Sequence, residues 1–141
     1  MTITHARFYN NRAVDSWKSG FGGDVGKGGA IIASAGTLTI THARFQFNQA
    51  VGKGGAIYAK GGTLTITHAQ FTGNKAYSGA GAAGGAIFAG QASIQLLNVS
   101  FSGNYLVPRL GNYEPDGFSC NTGFDLSNTH TSMSTKYTRS C

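Results

Sequence analysis

Seven residues written twice, and a third time with one change, set the limits on what this chain can fold into. Thr2-Ile-Thr-His-Ala-Arg-Phe8 returns as Thr39-Ile-Thr-His-Ala-Arg-Phe45 and as Thr65-Ile-Thr-His-Ala-Gln-Phe71, with a degenerate fourth copy at Gln95-Leu-Leu-Asn-Val-Ser-Phe101. Each copy continues as Phe-x-x-Asn, from Phe8 to Asn11, Phe45 to Asn48, Phe71 to Asn74 and Phe101 to Asn104. The first three are followed by Gly-Gly-Ala-Ile, at Gly28-Gly29-Ala30-Ile31, Gly54-Gly55-Ala56-Ile57 and Gly84-Gly85-Ala86-Ile87. Internal self-similarity at a period of 20 to 50 residues is the signature of a repeat architecture.

The spacings say which part of the unit is rigid. From the first Gly of each Gly-Gly-Ala-Ile to the next Phe the distance is always 17 residues, whereas from each Phe to the following Gly-Gly it is 20, 9 and 13. Insertions therefore fall after the Asn, and residues 13–27, 49–53 and 75–83 are expected as variable loops on one side of the stack. The shortest period, Phe45 to Phe71, is 26 residues. That is too short for a propeller blade and carries no 3.6-residue apolar pattern.

One coil of a β-solenoid fits. Leu38 and Ile40 alternate with Thr, as Leu64 and Ile66 do, which is the pattern of a strand with one buried face. Phe45 stands five residues beyond Ile40 and cannot share its face in one straight strand, so a bend is required near His42. This predicts three short strands per coil, Thr-Leu-Thr-Ile, Ala-x-Phe and Gly-Gly-Ala-Ile-x-Ala, with bends at His42 and Asn48. In the last of these, Tyr58 aligns with Ile32 and Phe88 and is expected to face outward, leaving Gly55, Ile57 and Ala59 inside.

The expected fold is all-β, a right-handed parallel β-helix of about three to four coils. Residues 1–104 form the coils, and residues 105–141, where the motifs stop and Ser and Thr dominate, form a cap or a disordered tail. Stacking at about 4.8 Å places Phe8, Phe45, Phe71 and Phe101 in one column and Asn11, Asn48, Asn74 and Asn104 in another. The Asn column is read as a structural amide ladder, since buried polar atoms must be paired. Thr2 to Phe8 reads as the middle of a unit whose opening Gly-Thr-Leu is missing, so the chain is expected to be an excerpt of a longer solenoid.

Composition agrees with tight β turns: there are 22 Gly and only 2 Pro, which is neither collagenous nor Pro/Gly-rich disorder. The net charge of +6 comes from scattered Lys and Arg in a chain only 11% charged. Without a Lys/Arg cluster, nucleic acid is not an expected partner. No apolar run reaches membrane-spanning length and Met1 to His5 lacks the features of a signal peptide, so a membrane enters only through further parts of a longer protein. Cys120 and Cys141 would close a loop of about 20 residues, worth roughly 3 kcal/mol. Two unpaired thiols fit equally well.

Phe-x-x-Asn and Gly-Gly-Ala-Ile alternating in one repeat resemble the polymorphic outer-membrane protein family known from chlamydiae. The resemblance covers roughly Thr2 to Asn104. It implies a surface-exposed β-helix passenger of a secreted, autotransported adhesin, with the motif residues, such as Phe45, Asn48, Gly54, Gly55, Ala56 and Ile57, acting in folding or adhesion. The chain departs from that family in carrying no signal peptide and no C-terminal translocator barrel.

For chemistry the sequence offers little. The column His5, His42, His68 resembles a metal site, but the fourth copy has Asn98 there and no carboxylate or Cys repeats beside it; a polar bend residue is the preferred reading. The pairs Thr2/Thr4, Thr39/Thr41 and Thr65/Thr67 resemble the flat face of ice-binding solenoids, and Thr is also an ordinary solvent-face strand residue. A polysaccharide lyase or hydrolase, the main alternative, needs clustered carboxylates, and the repeat region has only Asp15 and Asp24. Gly22 to Gly28 is not a phosphate loop, because Phe21 stands at its first glycine position and Gly28 where Ser or Thr should be. Lys27, Lys53, Arg7 and Arg44 form small basic columns that suit acidic glycans or a solvated face, and Asn98-Val-Ser100 is a lone glycosylation sequon.

The expectation is a noncatalytic surface or extracellular β-helix module, adhesin-like or a spacer, with no cofactor and a protein or glycan partner. Trp17 and Phe21, in the longest loop, are the candidate contact residues, since aromatic anchors dominate interface energetics.

Overall fold

Short strands with one inward residue, separated by residues able to take left-handed backbone angles, wind this chain into a parallel β-helix. The structure, a computed structural model, describes residues 1–13, 26–77 and 84–107, and the strand residues 114–115, 118–120, 124–125, 131–133 and 137–140; side chains are described as far as Tyr105. Three sheets run along the stack. The first contains Thr2–Thr4, Thr37–Thr41, Ile57–Thr67 and Ile87–Leu97, with Ile31–Ala33 paired to Ile57–Ala59. The second contains Arg7–Tyr9, Arg44–Gln46, Gln70–Thr72 and Val99–Ser102, all parallel. The third contains Arg12–Ala13, Gln49–Val51, Lys75–Tyr77 and Tyr105–Val107, likewise parallel.

Register is held by identical or similar apolar residues meeting across coils. Leu38 pairs with Leu64, which pairs with Ile94; Ile40 pairs with Ile66, which pairs with Leu96; and Phe45 pairs with Phe71, which pairs with Phe101. Each fills the same inward position, so a one-residue slip would expose a whole face. The Phe rings stack nearly parallel, 4.7 Å from Phe8 to Phe45, 4.6 Å from Phe45 to Phe71 and 5.1 Å from Phe71 to Phe101. Such face-to-face spacing follows from strand separation rather than from ring preference. Burial of Phe45, Phe71 and Phe101 is worth about 2–3 kcal/mol each.

Two expectations are corrected. After the first copy, where Ile31–Ala33 is a separate strand, Gly-Gly-Ala-Ile-x-Ala is not a strand of its own: Ile57 to Ala59 and Ile87 to Ala89 continue into the next strand of the coil as the 11-residue strands Ile57–Thr67 and Ile87–Leu97. The real third strands lie in segments read as loops, at Gln49–Val51 and Lys75–Tyr77. Three residues with one inward Ala, the fully buried Ala50 or Ala76, carry no alternation to detect. Second, Tyr58 and Phe88 are buried, not exposed like Ile32. They lie outside the apolar core cluster, yet their rings stack on each other at 5.5 Å, with the Lys27 ammonium 4.7 Å from the Tyr58 ring and that of Lys53 4.5 Å from the Phe88 ring.

Each turn of the stack has a column of residues with positive φ. At the first corner these are His5, His42, His68 and Asn98, at 50, 53, 52 and 52°. Asn and His are enriched in this conformation, which accounts for both types sharing one position. At the third corner they are Gly28, Gly54 and Gly84, at 57, 69 and 70°. The glycine that follows meets a different demand: a Cβ on Gly55 would lie 2.6 Å from the backbone N and C of Lys75. Gly-Gly thus combines a left-handed turn with a close chain crossing.

Beyond the fourth coil, strands lie along each sheet edge. Phe118–Cys120 pairs with Ile87 to Ala89 in parallel, while Tyr137–Ser140, Thr131–Met133 and Glu114–Pro115 run antiparallel to the last strands of the first, second and third sheets.

Candidate functional site

The second corner, between Phe and Asn, carries the most unusual surface. Its positive-φ column is Asn10, Phe47, Gly73 and Gly103, at 54, 55, 62 and 59°. Asn and Gly suit that conformation; a Phe there is an outlier, because its Cβ crowds the following carbonyl at about 1–2 kcal/mol. Outliers of this kind cluster at functional positions.

Phe47 nonetheless stays 45% exposed and Tyr9, beside it, 54%. The rings meet edge to face at 5.8 Å. Phe47 projects over Gly73, where a Cβ would lie 2.6 Å from its ring, so the glycine below leaves room for the aromatic above. The guanidinium of Arg7 sits 5.2 Å from the Tyr9 ring, and its Nε donates to Gln46 Oε1 at 3.1 Å. Two exposed rings, a fixed guanidinium and an amide thus share one edge of a rigid stack. Sequence reasoning missed Tyr9 and Phe47 because both fall at x positions of Phe-x-x-Asn. The available signal was Phe47 itself, the only large apolar residue in a column otherwise Asn and Gly.

Below that corner the Asn column is enclosed. Asn48, Asn74 and Asn104 are buried, and each Nδ2 donates to a Phe carbonyl of the preceding coil, Phe8 at 3.1 Å, Phe45 at 3.0 Å and Phe71 at 2.9 Å. Asn48 and Asn74 also donate to the next rung, at 2.9 and 2.7 Å. Each of these Oδ1 atoms accepts from the side chain and the backbone N–H of the rung before it. Two donors and two acceptors are used at Asn48 and Asn74, which leaves an amide nothing further to offer a ligand.

The imidazoles of His5, His42 and His68 are exposed and stacked, with centroids 5.0 and 4.8 Å apart and planes within 2 and 6°. Parallel rings aim their lone pairs in parallel, so no two nitrogens converge on a point about 2.0–2.1 Å from each. Among the described residues no group of three His, Cys, Asp or Glu side chains could hold a metal ion. Asn98 Nδ2 lies 3.0 Å from His68 Nε2. The Thr columns are in register, Thr2 with Thr39 and Thr65, Thr4 with Thr41 and Thr67, until Gln95 and Leu97 replace them.

Trp17 and Phe21 lie outside the described residues, as do Asp15 and Asp24, the acids that the lyase alternative would need. The side chains of Cys120 and Cys141 are also outside them. No described helix is long and apolar enough to cross a membrane.

No curated protein and no solved structure matches the chain. Residues 45–60, which run from the stacked Phe45 through the Asn48 rung and the Gly54 to Ile57 corner, match the model of the Chlamydia polymorphic membrane protein repeat, a family of chlamydial outer-membrane proteins, and the chain carries a repeat of that type.

Proposed function

We propose that this chain is a noncatalytic, surface-exposed β-helix module with an adhesive role, and that Tyr9 and Phe47 form its contact patch for a protein or glycan on an opposing surface. The observation that carries the reading is Phe47: a bulky ring held at a backbone angle of 55° yet left 45% exposed costs stability and gains little burial. Such an arrangement is retained where the ring serves a partner. The repeat type supports an address on the outer surface, and the interlocked Phe and Asn columns supply a rigid support. Rigid aromatic anchors suit recognition because they lose little conformational freedom on binding.

The test compares the protein with a Tyr9→Ser/Phe47→Asn double variant, Asn being the residue of the equivalent first-coil position. Retention on cultured epithelial cells and on matrix-coated surfaces is expected to fall about tenfold, with circular dichroism unchanged. Undiminished retention by a folded double variant would remove the patch as the contact site.

A further inference from the structure

A second surface lies at the other end of the second sheet. His42, Ala43, Arg44, His68 and Gln70 line a cleft of about 180 Å³. It lies between the imidazole stack and the outward Arg44 and Gln70 of the sheet, with Ala43 at its base. Arg44 pairs in register with Gln70, so each of two successive coils supplies one imidazole and one long N–H donor.

The two arginines of the column differ. Arg7 is engaged by Gln46 and by the Tyr9 ring. The Arg44 guanidinium has no hydrogen bond, ion pair or ring contact among the described residues, and the described cleft lining contains no carboxylate. Nε2 of His68 lies 3.0 Å from the Asn98 amide, whose nitrogen is a donor. The cleft lining thus brings together a guanidinium, two imidazoles and an amide, groups able to donate to an anion.

We infer that this cleft binds the sulfate or carboxylate groups of a linear acidic glycan lying along the stack. The neighbouring groups favour a glycan over a nucleic acid. Thr41 and Thr67, immediately before the two His residues, present hydroxyls bonded to each other at 3.1 Å, and Thr72 follows on the sheet. These suit sugar hydroxyls. His42 is stacked on both faces by the neighbouring imidazoles and His68 is stacked on one and followed by Asn98 in the column, which leaves little aromatic platform for a base. This surface is separate from the Tyr9 and Phe47 patch, and either stands without the other.

The variants that test it come from the protein's own coils. Arg44→Gln copies Gln70 and His42→Asn copies Asn98, so both corners keep residues that the fold already accepts. Arg7→Gln removes the same charge from the engaged position. Binding is read by calorimetry with heparin oligosaccharides, with dextran, inorganic sulfate and single-stranded DNA of matched charge as comparisons. Heparin binding is expected to weaken about tenfold in Arg44→Gln and in His42→Asn, and less than about twofold in Arg7→Gln. It should weaken with added salt. Dextran should give no heat, and inorganic sulfate should bind more weakly than the oligosaccharide. Equal loss in Arg44→Gln and Arg7→Gln, binding of dextran, sulfate binding as tight as heparin, or DNA binding as tight as heparin would each overturn the assignment. Loss of Tyr9 and Phe47 should leave heparin binding within about twofold, which separates the two surfaces.

Discussion

Replacing Asn74 by Ala should cost far more than replacing Asn11, although both occupy the same column. The Asn74 side chain makes four hydrogen bonds: it donates to Phe45 O at 3.0 Å and Asn104 Oδ1 at 2.7 Å, and accepts from the backbone N of Asn48 at 3.0 Å and its Nδ2 at 2.9 Å. Removal strips a partner from two donors of the buried Asn48 and from the Phe45 carbonyl, while Asn104 Oδ1 keeps the Asn74 backbone N–H at 3.0 Å. At about 1–2 kcal/mol for each group left unmet, the loss is roughly 3–6 kcal/mol. At a typical urea slope of about 2 kcal/mol per M, the midpoint should fall by roughly 1.5–3 M. Asn11 is exposed, and its side chain gives one bond, to Asn48 Oδ1 at 2.9 Å, beside the backbone bond that stays at 3.1 Å. Asn11→Ala should therefore cost about 0.5–1 kcal/mol. Urea titrations followed by far-ultraviolet circular dichroism would measure both. Losses equal to within about 0.5 kcal/mol would refute the argument that enclosure of the amide ladder sets its worth.

Gly55→Ala, whose Cβ would press on the Lys75 backbone at 2.6 Å, should lose about 3 kcal/mol or more, while Gly36→Ala, with φ 80° but nothing within 4 Å, should lose only about 1–2 kcal/mol; thermal melts showing the reverse order would contradict the crossing geometry. Phe47→Asn should leave the melting temperature unchanged or raise it by a few degrees, because relief of about 1–2 kcal/mol of backbone strain offsets the lost ring contacts. A fall of more than about 5 °C would make Phe47 a packing residue rather than a displayed one. Zinc in about tenfold excess should leave the melting temperature within about 1 °C, since ligand binding to the native state would raise it; a larger rise would mean that the His column rearranges to chelate.

What the sequence discloses here is whatever the repeat writes several times in one long-enough pattern. Leu38 and Ile40 over Leu64 and Ile66 alternate across five residues, so the first sheet and its buried face can be read directly. Gln49–Val51 and Lys75–Tyr77 cannot, because a three-residue strand has one inward side chain and that side chain is Ala. Joining Ile57 to Thr67 in one strand required knowing that Gly61 and Gly62 stay extended enough to pair with Gln91 and Ala92, although Gly62 has φ 84°. Tyr58 and Phe88 point away from the core, which their alignment with Ile32 suggests; their burial depends on Lys27 and Lys53 lying over the next coil, a contact between distant residues. The surface pair Tyr9 and Phe47 was hidden for a related reason. A repeat draws the eye to what stays constant, and these two residues stand where the copies differ.

Because Asn48 treats Phe8 and Asn74 as Asn74 treats Phe45 and Asn104, every rung offers its successor the same set of bonds. A winding copied or lost as a whole leaves matching ends to rejoin. Duplication and deletion of single units can therefore lengthen or shorten such a rod without inventing a new join, while its displayed residues drift freely between copies.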